Sequence, residues 1–393
     1  MPQPVILSAC RTPIGKFQGG LAPVKVTDLG AVVVREALSR AGVAADAVDE
    51  VIMGCVLQAG LGQNPARQSA IAAGVPVSVP AFTVNKVCGS GLKSVMLAAS
   101  AVKAGDGDVF VAGGMENMSR VPYYLLKARD GQRLGHDKLL DGIVWDGLWD
   151  HYNDFHMGNT AELVCDKYSV SREDQDGWAL ESQKRAAAAM EAGKFKDEIV
   201  SVEVPGRKGA VTVVDTDEGP RPETSMESLA KLRAVFQKDG SVTPGNASTI
   251  NDGASALVVT SAEKAEELGA KPIARITGYS TGGMEPEWVM MAPLIAVQKL
   301  SEQLGMKPND FDLIELNEAF AAQSCALAKE LALDPAKINV NGGAVALGHP
   351  IGCSGARILT TLLHAMKDRG AKTGLASLCL GGGNAVALSV EMD

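Results

Sequence analysis

Apolar residues switch between two spacings along this chain, and the switches mark its elements. Pro4 to Ala9 is a continuous apolar run of strand length, after which Arg11-Thr-Pro-Ile-Gly turns. Leu29, Val32, Val33 and Ala37 then fall on one helix face, with Thr27-Asp28 as the expected cap and Gly42 as the stop. Asp49 to Met53 predicts a strand and Pro65 to Ala73 a helix. Phe82, Val84 and Val87 predict a buried strand that runs into Cys88, and Leu92, Val95, Met96 and Ala99 return to helical spacing. Asp108-Val-Phe-Val-Ala-Gly-Gly predicts a strand ending in glycines.

The far part of the chain repeats this order. Arg35 to Ile52 resembles Gln298 to Glu315, with Gly42 over Gly305 and Asp49 over Asp312, both 263 positions apart. Cys-Gly-Ser-Gly ending at Gly91 falls over Gly-Cys-Ser-Gly ending at Gly355, an offset of 264. Two matches in one order at nearly one offset imply a tandem duplication of a β/α unit. Its halves would pack about a pseudo-twofold axis and bring equivalent strand ends to one site. The expected organisation is an N-terminal half over 1–118, completed by about 250–270, an inserted loop domain over 119–249, and a C-terminal half over 271–393. The insertion holds three of the four tryptophans (145, 149, 178), a helix from Ser171 capped in Ser-x-x-Asp fashion, and the turn-rich Asp217-Glu-Gly-Pro-Arg-Pro.

Composition narrows the class. The 393 residues exceed one ordinary core, and 46% hydrophobic with 21% charged residues describes a globular protein. The formal charge of −9 argues against nucleic acid or an anionic membrane as a partner. The start has no basic n-region and no apolar run nears the ~18 residues of a membrane span, so the expected compartment is cytoplasmic. Seven scattered cysteines without a Cys-x-x-Cys pair or clustered histidine support neither disulfides nor zinc. That leaves thiol chemistry or packing.

Cys88 stands at a strand-to-helix junction, where unpaired N–H groups and the helix dipole favour a thiolate, so a depressed pKa is expected. Asn317-Glu-Ala-Phe follows the strand Leu313 to Leu316. Gly348-His-Pro places His349 in extended backbone, and Leu378-Cys-Leu-Gly-Gly-Gly puts Cys379 at a strand end. Singly, each has a plain structural reading: a packed cysteine, a turn histidine, a helix-capping asparagine. Their convergence at strand ends of a duplicated α/β chain makes a nucleophile, base, acid and polariser set.

Asn-Lys-Val-Cys-Gly-Ser-Gly at 85–91, Asn-Glu-Ala-Phe at 317–320, Gly-His-Pro at 348–350 and Cys-x-Gly-Gly-Gly at 379–383 resemble the motifs of the thiolase family. The resemblance spans the chain and implies an α/β fold of five layers, αβαβα, built from two similar halves with an inserted loop domain. His-Met-Gly at 156–158 is similar to members that make and cleave acetoacetyl-CoA. It implies that Cys88 is the acylated nucleophile, His349 its base and Cys379 the acid and base at the α-carbon. Asn317 would hold a water beside His349, and the N–H groups of Cys88 and Gly381 would form an oxyanion hole. Against CoA it places Leu148, His156, Met157, Arg221, Ser228, Ser248, Ala319 and Phe320. CoA and acetyl-CoA would be substrates, with no metal or other cofactor, and the assembly a homotetramer, a dimer of dimers.

The chain departs from the family pattern at several points. Ser248-Thr-Ile-Asn stands for Ser-Gly-Leu-Asn, and Trp288-Val-Met-Met-Ala-Pro for Val-Met-Gly-x-Gly-Pro. Pro222 directly follows Arg221, and Asn159 replaces an aliphatic residue or threonine. None touches the four chemical residues; all bear on the acyl pocket wall or the CoA contacts. The competing readings are a 3-ketoacyl-CoA thiolase of broader, degradative range, a decarboxylating condensing enzyme, against which Cys379 argues, and a silent acyl-CoA-binding scaffold.

Overall fold

The fold is that of a computed structural model, which describes residues 1–393 apart from the side chain of Arg207. Strand β1 (Pro4–Arg11) is buried along its whole length, as expected of a strand covered on both faces. It is followed by α1 (Val26–Ala41), β2 (Glu50–Gly54), α2 (Pro65–Ala72), β3 (Ala81–Val84), α3 (Ser90–Ala104) and β4 (Val109–Asn117). Residues 119–249 contribute α4 (Met157–Tyr168) and α5 (Arg172–Glu191). Next come β5 (Asn251–Ser261), β6 (Ala274–Gly283), α6 (Ala292–Leu304), β7 (Leu313–Leu316), α7 (Ala321–Glu330), α8 (Ile351–Arg369), β8 (Thr373–Leu380) and β9 (Asn384–Glu391).

The pairing order is β7-β8-β9-β6-β1-β5-β4-β2-β3. It reads as two similar sets meeting back to back. In one, β2 is parallel to β4, which pairs antiparallel with β5 and then β1. In the other, β7 is parallel to β8, which pairs antiparallel with β9 and then β6. The sets join only where Val5 and Ile6 pair with Arg275 and Ala274.

Alternation along the strands divides the core into layers. Val109 and Val111 pack outward with α1, while Phe110 and Ala112 pack inward with α3. Helices α3 and α8 lie between the two sets, since α8 contacts β4 and β5 on one side and β7 and β8 on the other. Alpha helices α1 and α6 cover the outer faces. The resulting order is helix, sheet, helix, sheet, helix.

Repeat positions do equivalent jobs. Gly42 and Gly305 end α1 and α6 in left-handed conformation, at φ 65° and 66°. The carboxylate of Asp49 accepts the N–H groups of Asp108 and Val109, and that of Asp312 accepts those of Lys372 and Thr373. Each aspartate therefore pins the start of the neighbouring parallel strand.

Two local expectations are corrected. Helix α1 starts at Val26, one residue before Thr27, and has no side-chain cap. Strand β3 stops at Val84 and is an edge strand with Phe82 exposed, so Val87 is a turn residue rather than part of a buried strand. Apolar content alone does not separate an edge strand from a central one.

Candidate active site

The nucleophile's position comes from a strained turn between β3 and α3. Val87 has φ 46°, a left-handed conformation that a β-branched residue adopts only when its surroundings over-determine it. The surroundings do so. The amide oxygen of Asn85 accepts the Val87 N–H at 3.0 Å. The Ser90 hydroxyl donates to the Val87 carbonyl at 2.6 Å and accepts the Lys86 N–H at 2.9 Å. With both peptide groups held, the next residue, Cys88, is presented to a cavity. Asparagine and serine around a cysteine were the signal for this turn.

The expected depression of the Cys88 pKa is not what the site produces. Burial pushes the thiol up to about 12, against the opposing effect of the Gly381 and Cys88 N–H groups, while the Glu116 carboxylate adds to the rise. Desolvation outweighs the helix terminus because apolar packing surrounds the half-buried cysteine. Those same two N–H groups nonetheless face the sulfur, where an oxygen on an acyl carbon would lie.

His349 sits just ahead of α8. Its backbone N–H donates to the Asn251 side chain at 2.9 Å, and its Nδ1 lies 2.6 Å from the Ser354 hydroxyl. Ser354 spends its one proton on the Pro350 carbonyl at 2.8 Å, so toward the ring it can only accept. The network thus assigns Nδ1–H and leaves Nε2 as the basic nitrogen. Burial, and then the Arg357 guanidinium, push the imidazole pKa down to about 3. The Asn317 amide nitrogen is 3.4 Å from both ring nitrogens, too evenly placed to serve either, and its buried Oδ1 has no partner among the described residues.

Cys379, at the end of β8, is 3% exposed, and its thiol pKa is raised by burial and then by the charge that Cys88 would carry as a thiolate. The Gln323 side chain opposes this. At neutral pH the site therefore holds two thiols and an uncharged imidazole, each disfavouring charge until a proton moves between them.

Cys88, His349, Cys379 and Gly381 open on one cavity of about 690 Å³, together with Leu148, His156, Met157, Arg221, Ser248, Ala319 and Phe320. Ser228 does not line it; it borders a neighbouring recess of about 230 Å³ that shares Arg221. Asn317 is likewise behind the wall. The His156 Nδ1 accepts the Gly158 N–H at 3.0 Å and so caps α4, and its ring stacks on Phe236 at 4.8 Å. Phe236, Met118, Ile351, Val289 and Met290 complete the apolar wall. Phe236 comes from an irregular stretch with no periodicity to mark it. No cluster of three or more metal-ligating side chains occurs among the described residues.

Two buried carboxylates brace the site: Glu116, which no motif marked, and Glu318, which lies in Asn-Glu-Ala-Phe without a role assigned to it there. Glu116 accepts the N–H groups of Val56, Leu57 and Gly352, joining β4 to the loop after β2 and to α8. Glu318 accepts from Trp178, Ser182, Asn339 and the Val345 N–H, tying α5 to the β7 end.

A strained cysteine turn, a second cysteine at a strand end and an imidazole ahead of a central helix, in a duplicated layered fold, define the thiolases, and this chain belongs to that family. Residues 4–263 match "Thiolase, N-terminal domain" and residues 270–392 match "Thiolase, C-terminal domain". The chain is 54% identical over 393 residues, the full length of both proteins, to an acetyl-CoA acetyltransferase of Pseudomonas aeruginosa. It is 55% identical over 391 residues, again covering 100% of each, to one of Cupriavidus necator. The crystal structure of the Bacillus anthracis acetyl-CoA acetyltransferase superposes with a TM-score of 0.98 at 46% identity, covering 100% of this chain and 99% of that one.

Proposed function

We propose that this thiolase condenses two acetyl-CoA molecules to acetoacetyl-CoA and CoA, and catalyses the reverse thiolysis, by a ping-pong route through acetyl-Cys88. The observation that carries this is the pair of thiols and the Nε2-basic imidazole on a single apolar cavity. The full-length similarity to acetyl-CoA acetyltransferases supports the acetyl group as the one transferred.

In the first half-reaction His349 Nε2 takes the Cys88 proton as the sulfur bonds the acetyl carbon. The carbon–sulfur bond to CoA breaks, and Cys379 gives its proton to the departing CoA thiolate. This leaves an imidazolium and a Cys379 thiolate, a net-neutral pair. Burial makes that thiolate a strong base, so it removes the α-proton of the second acetyl-CoA. His349, with a water held by the Asn317 amide, stabilises the enolate oxygen. The enolate carbon bonds the acetyl carbon, and Cys88 leaves as thiolate and recovers its proton from His349. The Cys88 and Gly381 N–H groups hold the tetrahedral oxyanion.

Arg221 suits the phosphate-bearing end of CoA, and Met157 with Phe320 and Met290 narrows the acyl end toward acetyl. The reading includes a cytoplasmic homotetramer that uses CoA and acetyl-CoA as substrates and no other cofactor. No helix among the described residues is long and apolar enough to cross a membrane. Intact-protein mass spectrometry after mixing with acetoacetyl-CoA and CoA tests the route. The unaltered chain should gain one acetyl group and Cys88→Ala none; an acetylated Cys88→Ala would overturn it.

A further inference from the structure

The bulky stretch Trp288-Val-Met-Met falls in a six-residue 3-10 turn, Pro286–Met291, that joins β6 to α6. This turn packs on α4 and on β8, the strand that carries Cys379. Its Val289 and Met290 are 1% and 2% exposed and line the cavity with Cys379, the thiol that works at the α-carbon of the acyl group. The turn therefore bounds the acyl end of the cavity rather than the end marked by Arg221.

A 3-10 run of this length is held only weakly by its own backbone. Trp288, at φ −95° and ψ 16°, breaks it in the middle. Its place must come from outside anchors. At one end the Met284 N–H donates to the Gly383 carbonyl at 2.8 Å, in the glycine run that follows Cys379. Alongside, Ala161 and Val164 of α4 are fully buried in the same apolar cluster as Val289, Met290 and Met291. Beyond them, in the last turn of α4, the Lys167 ammonium stands 3.8 Å from the centre of the Trp288 ring. Indole is the best aromatic partner for a cation, and this one is half-buried. Helix α4 begins at Met157, which lines the cavity, so one helix meets the substrate space at its start and grips the turn near its end.

Methionine bends to fit, so what Met290 excludes depends on where its backbone is held. We infer that Lys167 and Trp288 are specificity-determining residues that never touch the substrate: cation over ring, they clamp the turn to α4, hold Met290 against the acyl end, and so restrict the enzyme to the shortest 3-ketoacyl-CoA. The clamp sits outside the cavity, because Lys167 is exposed and neither residue lines it.

The inference rests on acetoacetyl-CoA being the substrate, and the readout separates the two claims. Thiolysis of acetoacetyl-CoA and of 3-ketohexanoyl-CoA is measured with the full chain, and the ratio of kcat/KM for the longer substrate over the shorter is compared between variants. Met290→Ala should raise that ratio about tenfold or more, as the room gained takes in further methylenes. Lys167→Met, a change at an exposed site, should raise it about threefold by removing the cation from the ring. Lys167→Arg keeps a cation there and should leave the ratio where it is. On the Met290→Ala background, Lys167→Met should add nothing, since no long side chain is left to hold in place. A clamp that served stability alone would lower the urea midpoint in Lys167→Met and leave the ratio unmoved, which overturns the inference. So does a ratio unmoved in Met290→Ala, one raised equally by Lys167→Arg, or a full threefold rise on the Met290→Ala background. If the unaltered chain prefers 3-ketohexanoyl-CoA, the acetyl assignment fails instead, and the change between Lys167→Met and the unaltered chain still decides the clamp.

Discussion

At the scale of single residues, the site works by keeping charges latent. Burial drives the Cys88 thiol up and the His349 imidazole down, so an ion pair does not form at rest, and the proton moves as the acyl carbon is attacked. This places weight on the ring tautomer, which Ser354 sets by accepting from Nδ1 while donating to Pro350. Ser354→Ala should therefore lower kcat about tenfold or more by letting the basic nitrogen face the wrong way, with KM moved much less and Ser354→Thr recovering most of the loss. Steady-state thiolysis of acetoacetyl-CoA decides it, and an unchanged kcat would mean that another contact orients the ring. The residue types of the site were legible in the sequence because Cys88 and Cys379 stand beside glycines near strand ends, while His349, expected at a strand end, stands in the Gly-His-Pro turn between a short helix over 344–347 and α8. Their ionisation was not. The helix-terminus argument for Cys88 is local, whereas the desolvation that overrides it comes from packing against segments distant in sequence, Val56, Leu57 and Ile351 among them.

At the scale of elements, buried carboxylates hold strands and helices together in place of motifs. Glu116 is the clearest, because its three backbone donors come from two further segments. Burial raises its pKa to about 7, and the N–H groups of Val56, Leu57 and Gly352 counter only part of that. A folded-state pKa above the unfolded value means that the native chain binds the extra proton. The stability it brings is full below the unfolded pKa and is lost as pH rises through about 7. The swing is on the order of 3 kcal/mol. Urea unfolding should thus show a midpoint that falls between pH 5 and 8, with a smaller fall in Glu116→Gln; parallel curves for the two proteins would show that Glu116 does not titrate there. The elements were readable where periodicity was strong: Leu92, Val95, Met96 and Ala99 are all buried on α3, and the capping box at Ser171 and Asp174 is formed. Val87 was misread because β-branching signals a strand, and only the hydrogen bonds of Asn85 and Ser90 make the strained turn tenable.

At the scale of the molecule, the duplication brings the two halves of the site together, and it does so through one pair of repeat-equivalent glycines. Gly91 on α3 and Gly355 on α8 mark the contact of the two central helices, each against the other helix. A β-carbon on Gly355 would lie 2.4 Å from the Leu92 nitrogen, and one on Gly91 would lie 2.8 Å from the Ala356 nitrogen. These are backbone contacts, so a side chain would have to push the helices apart. Alanine gains about 1 kcal/mol of helix propensity over glycine, but overpacking at such a contact costs about 1–3 kcal/mol, so a net loss is expected for Gly355→Ala. The larger effect should be on catalysis. Cys88 precedes α3 by two residues and His349 precedes α8 by two, so separating the helices separates nucleophile and base. Misplacement of about 1 Å costs roughly 10²-fold in rate, so kcat should fall far more than the loss of stability alone would explain. Gly177→Ala in α5, where a β-carbon meets nothing within 4 Å, is the control and should keep its turnover with stability unchanged or slightly raised. Turnover and urea midpoints of the two variants settle the matter: if Gly355→Ala turns over like the unaltered chain, the glycine contact does not register the halves, and the 264-residue repeat is a trace of ancestry rather than the device that aligns the site.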